Sequence, residues 1–263
     1  MIFLKDKLER IYSQYNKREY INPDPLLFLY DYPEKKNREI AGFIAACLAY
    51  GRVELIMETV ATVLAKLDPN PFDYLIGQTK KDMANDFKNF QYRFAKGTHL
   101  VNLLWGIREV LKRFSSLENC FYEGMSPEDE TIIPGLVFFF EQMNRNKDIG
   151  HLLADPQKKS ACKRSLLFLR WMVRKDQVDP GGWEKISPSL LIVPLDTHMH
   201  KIGIMLEFTK RKSLDMKTAL EITQGFKQVV RQDPVKYDFC LTRFGIRRGL
   251  SMDDLSHVIH GYK

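Results

Sequence analysis

The chain has 263 residues, 44% hydrophobic, 12% aromatic and 28% charged, with a formal net charge of +7 and a pI near 9.1. That composition supports a sizeable core and excludes a disordered chain. No apolar run approaches the roughly 20 residues that span a bilayer, and the start, MIFLKDKLERIYSQY, is too charged for a signal-peptide core and reads as an amphipathic helix. The expectation is a single globular unit over residues 1–263, cytoplasmic and monomeric. Cys47, Cys120, Cys162 and Cys240 are scattered without a C-x-x-C pair, which fits reduced core thiols better than a disulfide or zinc framework.

Charge is unevenly distributed. Residues 1–155 hold 20 Lys/Arg against 22 Asp/Glu, whereas residues 156–263 hold 20 against 11. The positive excess therefore lies wholly in the C-terminal part, as expected of a region that meets polyphosphate, nucleic acid above all. A solvated basic surface is the alternative.

Helical periodicity runs through most of the chain. Residues 36–67 read as two helices broken at Gly51, and 97–114 as a third with Thr98 as a candidate N-cap. An acidic, polar connection spans 115–131, and Pro134-Gly135 restarts a helix through LVFFFEQMNR. Another helix is expected from about Ser160 to Arg174, then a loop over 175–189 turning at Pro180-Gly181-Gly182. The run 190–195 is the one β-like stretch. Asp215 suits the cap of the next helix, and Asp233-Pro234 has the N-cap and N1 signature of a last one ending near Gly245. The fold class is all-α.

The segment LLIVPLDTHMH (190–200) admits two chemistries. At the end of a strand, Asp196, His198 and His200 are every second residue, so they point to the same side and could share a metal, as in a barrel-type metal-dependent hydrolase. Such a barrel needs many later strands, and the residues after Asp196 read as helices. On a helix, His198 and His200 would stand about 200° apart and could not chelate one ion. In the helical reading Asp196 or Thr197 caps a helix whose apolar face is Ile202, Met205 and Leu206. A plain structural cap is the alternative for Asp196.

Upstream, KKSACKRSLLFLRWMVRK (158–175) combines a broad apolar face with a narrow basic stripe. At about 100° per residue, Lys163, Arg170 and Arg174 share one direction, with Lys159 beside them and Arg164 at the edge. No acid interrupts the stripe, which therefore suits phosphates, although a solvated stripe would read the same way. Lys163 is also a candidate nucleophile. An amine attacks a sugar C1′ only when unprotonated, a form that neighbouring cations and partial burial favour in general. A nearby carboxylate can orient the amine, take a proton and stabilise positive charge on the sugar, and Asp196 is the candidate.

The segment VPLDTHMHKIG resembles the part of the helix-hairpin-helix DNA glycosylase superfamily that carries its catalytic aspartate at a helix start. Carried over, that residue is Asp196. The Leu-Pro-Gly-x-Gly-x-Lys type hairpin that usually precedes it is absent from 175–189, and the Lys163–Asp196 spacing instead resembles the archaeal 8-oxoguanine DNA glycosylase branch. The blocks IAACLAYGR, ACKRSLLFLRWMVRKDQVDPGGW, IVPLDTH and LTRFGIRR look like an uncharacterised bacterial family related to that branch. The resemblance implies a two-lobed helical fold with a cleft that takes a flipped-out base. It further implies damaged duplex or single-stranded DNA as the partner, no cofactor, and removal of a damaged, perhaps oxidised purine, base through a Schiff base on Lys163 with Asp196 assisting. Tyr50 and Arg52 of AYGR, together with Trp171, are candidate pocket walls. Candidate DNA contacts are Lys159, Arg164, Arg170, Arg174, His198, Arg247 and Arg248, the last two in RFGIRRGL. A non-catalytic nucleic-acid-binding protein on the same fold, and the metal hydrolase, remain the alternatives.

Overall fold

A computed structural model describes residues 2–145 and 147–261, so Met1 of the expected first helix and the last two residues of the 1–263 unit lie outside the described residues. The chain runs through α1 (Ile2–Tyr15), α2 (Lys35–Leu48), α3 (Val53–Ala65), α4 (Pro71–Gly77) and α5 (Lys80–Asp86). A short antiparallel hairpin, β1 (Gln91–Tyr92) and β2 (Ala95–Lys96), follows. Then come α6 (Gly97–Phe114), α7 (Leu117–Glu123), α8 (Ile133–Asn144), α9 (Lys163–Val173), α10 (Thr197–Met205), α11 (Met216–Val229), α12 (Asp238–Ile246) and α13 (Met252–His260). The all-α expectation holds at this level. No helix among the described residues is long and apolar enough to cross a membrane.

The helix α2 and α9 form the centre. The sequence AGFIAACL at the end of α2 is almost entirely buried, because small side chains there allow close approach of neighbours. The Phe43 ring of α2 packs edge-on against Phe168 of α9 at 5.2 Å and Phe139 of α8 at 5.3 Å. Trp183 stacks edge-on to Phe168 from the loop beyond α9. That loop closes the C-terminus of α9, with the Gly181 and Trp183 N–H groups donating to the Trp171 and Met172 carbonyls at 3.0 and 2.8 Å.

Several boundaries differ from the sequence reading. The expected connection 115–131 contains α7, whose first N–H groups, from Leu117 and Glu118, donate to the buried Glu39 carboxylate at 3.0 and 3.3 Å. A partner 78 residues away is invisible to local pattern. The helix α6 starts at Gly97, so Thr98 lies inside it rather than at its cap. The helix expected from Asp233-Pro234 begins only at Asp238, after a series of turns. In the run 190–195, Leu190 closes a 3-10 turn, and 191–195 is buried but pairs with no strand among the described residues; the Val193 N–H donates to the Thr223 hydroxyl of α11 at 3.0 Å.

Glu39 also accepts from the Trp183 indole at 3.0 Å, so it ties α2, α7 and the α9 loop together. Burial pushes its carboxyl up to about 7, against the opposing pull of its N–H donors and Lys35. Between the unfolded value near 4.5 and about 7, the native state holds a proton that the unfolded state has lost. Stability from this group therefore falls as pH rises through that window. Denaturant titrations from pH 4.5 to 7.5 should show the decline, and Glu39→Gln should flatten it. An unchanged profile in Glu39→Gln would contradict the assignment.

Candidate active site

The helix α9 begins with Lys163 because Cys162 adopts a left-handed backbone (φ 49°), which turns the chain sharply into the helix. A β-carbon makes that conformation costly, and such strain accumulates at functional sites. The expected helix from about Ser160 is therefore shorter, and Lys159 lies in a preceding turn, exposed.

The helix α10 begins after Asp196, whose Oδ1 accepts from the His198 and Met199 N–H groups, both at 2.9 Å. This is N-capping by a carboxylate, favoured both by hydrogen bonding and by the positive end of the helix. The other oxygen, Oδ2, lies 3.2 Å from Lys163 Nζ. The structure thus brings Lys163 and Asp196 together at the N-termini of two helices. Their side chains are 36% and 21% exposed, so the pair is reachable. Burial pushes the Asp196 carboxyl up, but Lys163, the Met199 N–H and His198 outweigh it and hold it below the usual carboxylate range. The carboxylate is ionised at neutral pH.

The pair opens onto a cavity of about 440 Å³, a size typical of small-molecule sites. Trp171 and Leu167 of α9, Ala49 and Gly51 after α2, Pro194, and Asp238 and Arg243 of α12 are among its walls. His198 also faces it, and an added Cβ at Gly245 would lie 2.1 Å from the His198 ring. That glycine lets α12 pack against α10 over the site. His200 turns away, with Nε2 2.8 Å from the Arg211 carbonyl. Among the described residues no three His, Cys, Asp or Glu side chains are placed to hold a metal ion, so the Asp196-His198-His200 cluster is not a ligand set.

Other candidates fall elsewhere. Arg170 and Arg174 do not form an outward basic stripe. Both side chains are only 4% exposed. Arg170 pairs with Asp179 at 3.2 Å and Asp238 at 2.5 Å, and Arg174 with Asp176, Asp233 and Asp179. Burial alone would disfavour their charge, but the facing carboxylates hold both arginines firmly protonated. Their carboxylate partners lie outside α9: Asp176 and Asp179 in the loop after it, Asp233 ahead of α12 and Asp238 at the first position of α12. Phosphate contact is thereby ruled out for both. Arg164 is also turned inward: it donates to the Cys47 carbonyl at 2.5 Å and to the His151 carbonyl, with its guanidinium 4.9 Å over the Tyr50 ring. Tyr50 lines a neighbouring depression shared with Lys163 rather than the main cavity, and Arg52 is exposed beside it. Arg247 and Arg248 are exposed, Arg247 standing 4.5 Å over Tyr20.

Asp238 and Arg243 are the cavity residues that sequence reasoning missed. Asp238 Oδ2 accepts from Arg170, while its buried Oδ1 has no hydrogen-bond partner among the described residues. The Trp171 Nε1 and Arg243 Nε atoms are likewise buried and unpartnered. Asp238 was masked by the stronger local signal of Asp233-Pro234. Its position, four residues before Thr242 on the α12 face toward α9, emerges only once the helices are packed.

Fold and site together define a helical protein with a Lys–Asp pair at a cavity between helix N-termini. The chain belongs to the DUF2400 family, described as a protein of unknown function, whose family model matches residues 24–247. No curated protein and no solved structure matches it.

The ion-pair assignment has a direct consequence. Arg170→Ala leaves Asp238 without its cation in the interior and removes one of the two arginines that face Asp179, which should cost about 3–5 kcal/mol. Arg248→Ala should leave stability within about 0.5 kcal/mol. Equilibrium denaturation of both variants checks this, and equal stabilities would contradict it.

Proposed function

We propose that the protein is a DNA base-excision glycosylase with lyase chemistry, on a two-lobed helix-hairpin-helix glycosylase-like fold with a cleft between the lobes. The observation that carries this reading is the 3.2 Å approach of Lys163 Nζ to Asp196 Oδ2 at the cavity. An ordinary surface ion pair contributes little to stability; here one carboxylate both caps a helix and faces a partly exposed amine in a concave site.

In the proposed reaction a damaged nucleotide is flipped into the cavity, since its glycosidic bond cannot be reached inside the stack. Lys163, once its ammonium proton has left, attacks C1′. The bond from C1′ to the base breaks, and the electron pair leaves with the base, which takes up a proton. One of the two protons on the attached nitrogen goes with the base and the other to O4′ as the C1′–O4′ bond breaks, which gives the imine; removal of a C2′ proton then expels the 3′ phosphate and cuts the strand. Because Asp196 is held ionised, its main contribution is electrostatic: negative charge beside the positive charge that develops on the sugar. Trp171 backs the cavity from within the core, almost fully buried. The exposed cations Lys159, Arg247 and Arg248 have no carboxylate within 4 Å among the described residues and suit phosphates.

A panel of oligonucleotides carrying different damaged bases tests the reading by strand cleavage. Lys163→Gln should abolish cleavage while binding persists. Asp196→Asn, which keeps a capping oxygen, should lower turnover at least ten-fold more than affinity. Full activity in Lys163→Gln would assign the nucleophile elsewhere, and inactivity of the wild type on every lesion would favour the non-catalytic binding protein.

Salt dependence tests the phosphate contacts separately. Each contact contributes roughly −0.9 to the log–log slope of affinity against salt on duplex DNA. Arg247→Ala and Arg248→Ala should each make the slope shallower by about that amount, equally for damaged and undamaged DNA. A slope unchanged in both variants would mean that these arginines are only solvated.

A further inference from the structure

The β1–β2 hairpin is short, yet it is firmly anchored. Tyr92 and Ala95 are buried, and the Tyr92 hydroxyl donates to the Tyr50 carbonyl while the Tyr50 hydroxyl donates to the Tyr92 carbonyl at 3.1 Å. The Gln91 side-chain amide donates to the Arg93 carbonyl at 2.9 Å. On this rigid base the two turn residues are costly choices. Arg93 has φ 52°, the left-handed region that a two-residue hairpin turn usually fills with glycine or asparagine. Phe94 follows with 71% of its surface exposed, an aromatic ring the core does not use.

The turn sits at the rim of the proposed site. An added Cβ at Gly51, which lines the Lys163 cavity, would lie 2.9 Å from Arg93 Nη1, and Gly51 is itself left-handed at φ 106°. The Phe94 ring is 5.7 Å from the His151 ring, which in turn is 5.0 Å from Tyr50 beside Lys163's second depression. Arg93 and Arg52 have no carboxylate within 4 Å among the described residues, so this edge of the cavity is positively charged. An exposed ring and unpaired cations on a rigid mount suit a partner that offers stacking faces and phosphates together, which is nucleic acid. An apolar protein partner would leave the cations unanswered.

We propose that the Arg93–Phe94 turn is a nucleic-acid wedge, Phe94 entering the base stack beside the flipped nucleotide and Arg93 holding an adjacent phosphate. This inference rests on the glycosylase reading, because it assumes DNA at the Lys163 cavity. Phe94 fills the gap that the departing base leaves, which lowers the cost of keeping that base out of the stack.

The test uses the full chain and a duplex with a tetrahydrofuran abasic analogue next to 2-aminopurine. Phe94→Ala should bind this duplex at least five-fold more weakly than wild type with an unchanged salt slope, and Phe94→Trp should restore affinity. Wild-type binding should change 2-aminopurine fluorescence, and Phe94→Ala should lose that change. Arg93→Gly should keep or raise the melting temperature, because it relieves the left-handed arginine, yet make the salt slope shallower by roughly one contact. If wild type binds but Phe94→Ala matches it in affinity and fluorescence, the wedge is overturned and the glycosylase reading stands. If wild type binds neither this duplex nor any lesion duplex, both fall together.

Discussion

Two buried arginines, Arg170 on α9 and Arg174 at its C-terminal cap, set the position of the site. Arg170 and Arg174 point into the interior, where Asp179 meets them from the following loop, Asp233 from the approach to α12 and Asp238 from the first position of α12. Removing such charges from water is expensive, and only close pairing with good geometry offsets it. The network therefore admits few arrangements of α9, α12 and the loop between α9 and α10. Within that arrangement Lys163, at the first turn of α9, faces Asp196, at the start of α10. The same Asp238 that holds Arg170 also forms part of the cavity wall. Structural and candidate catalytic carboxylates thus share one electrostatic neighbourhood, and a change at Arg170 should be felt at both.

The Lys163–Asp196 pair derives its character from where the two helices begin. A carboxylate that caps α10 through two N–H groups has a fixed orientation, so its second oxygen is presented to the cavity rather than swinging in solvent. A lysine launched by a left-handed cysteine likewise has little choice of direction at its backbone. Preorganisation of this kind is what an electrostatic role in a reaction requires. A stabilising surface bridge would not need it.

Much of this was legible in the sequence, for identifiable reasons. Helical periodicity located α2, α3, α6, α8 and α11 because each buries one face at the 3.6-residue repeat. Asp196 was visible as a cap because caps are local, set by residues two and three positions on. Lys163 stood out through the basic stripe read on its helix. The arginines misled because a helical wheel shows which residues share a face but not what lies opposite that face. Arg170 and Arg174 look like a phosphate-binding stripe until Asp179, Asp233 and Asp238 are packed against them. For the same reason α7, which is capped by a distant glutamate, and the cavity residue Asp238 could not be read locally. The hairpin of Arg93 and Phe94 is too short for an alternating pattern to register.

The central claim is that the Lys163 amine forms a covalent bond to deoxyribose. Borohydride reduction during incubation with a cleaved lesion duplex would freeze the imine as a stable amine, and peptide mass mapping of the adduct would locate it. The account predicts the reduced sugar remnant on the peptide containing Lys163. A remnant on Lys159, on Lys175 or on the chain's amino terminus, or cleavage of the lesion strand with no adduct at all, would contradict it.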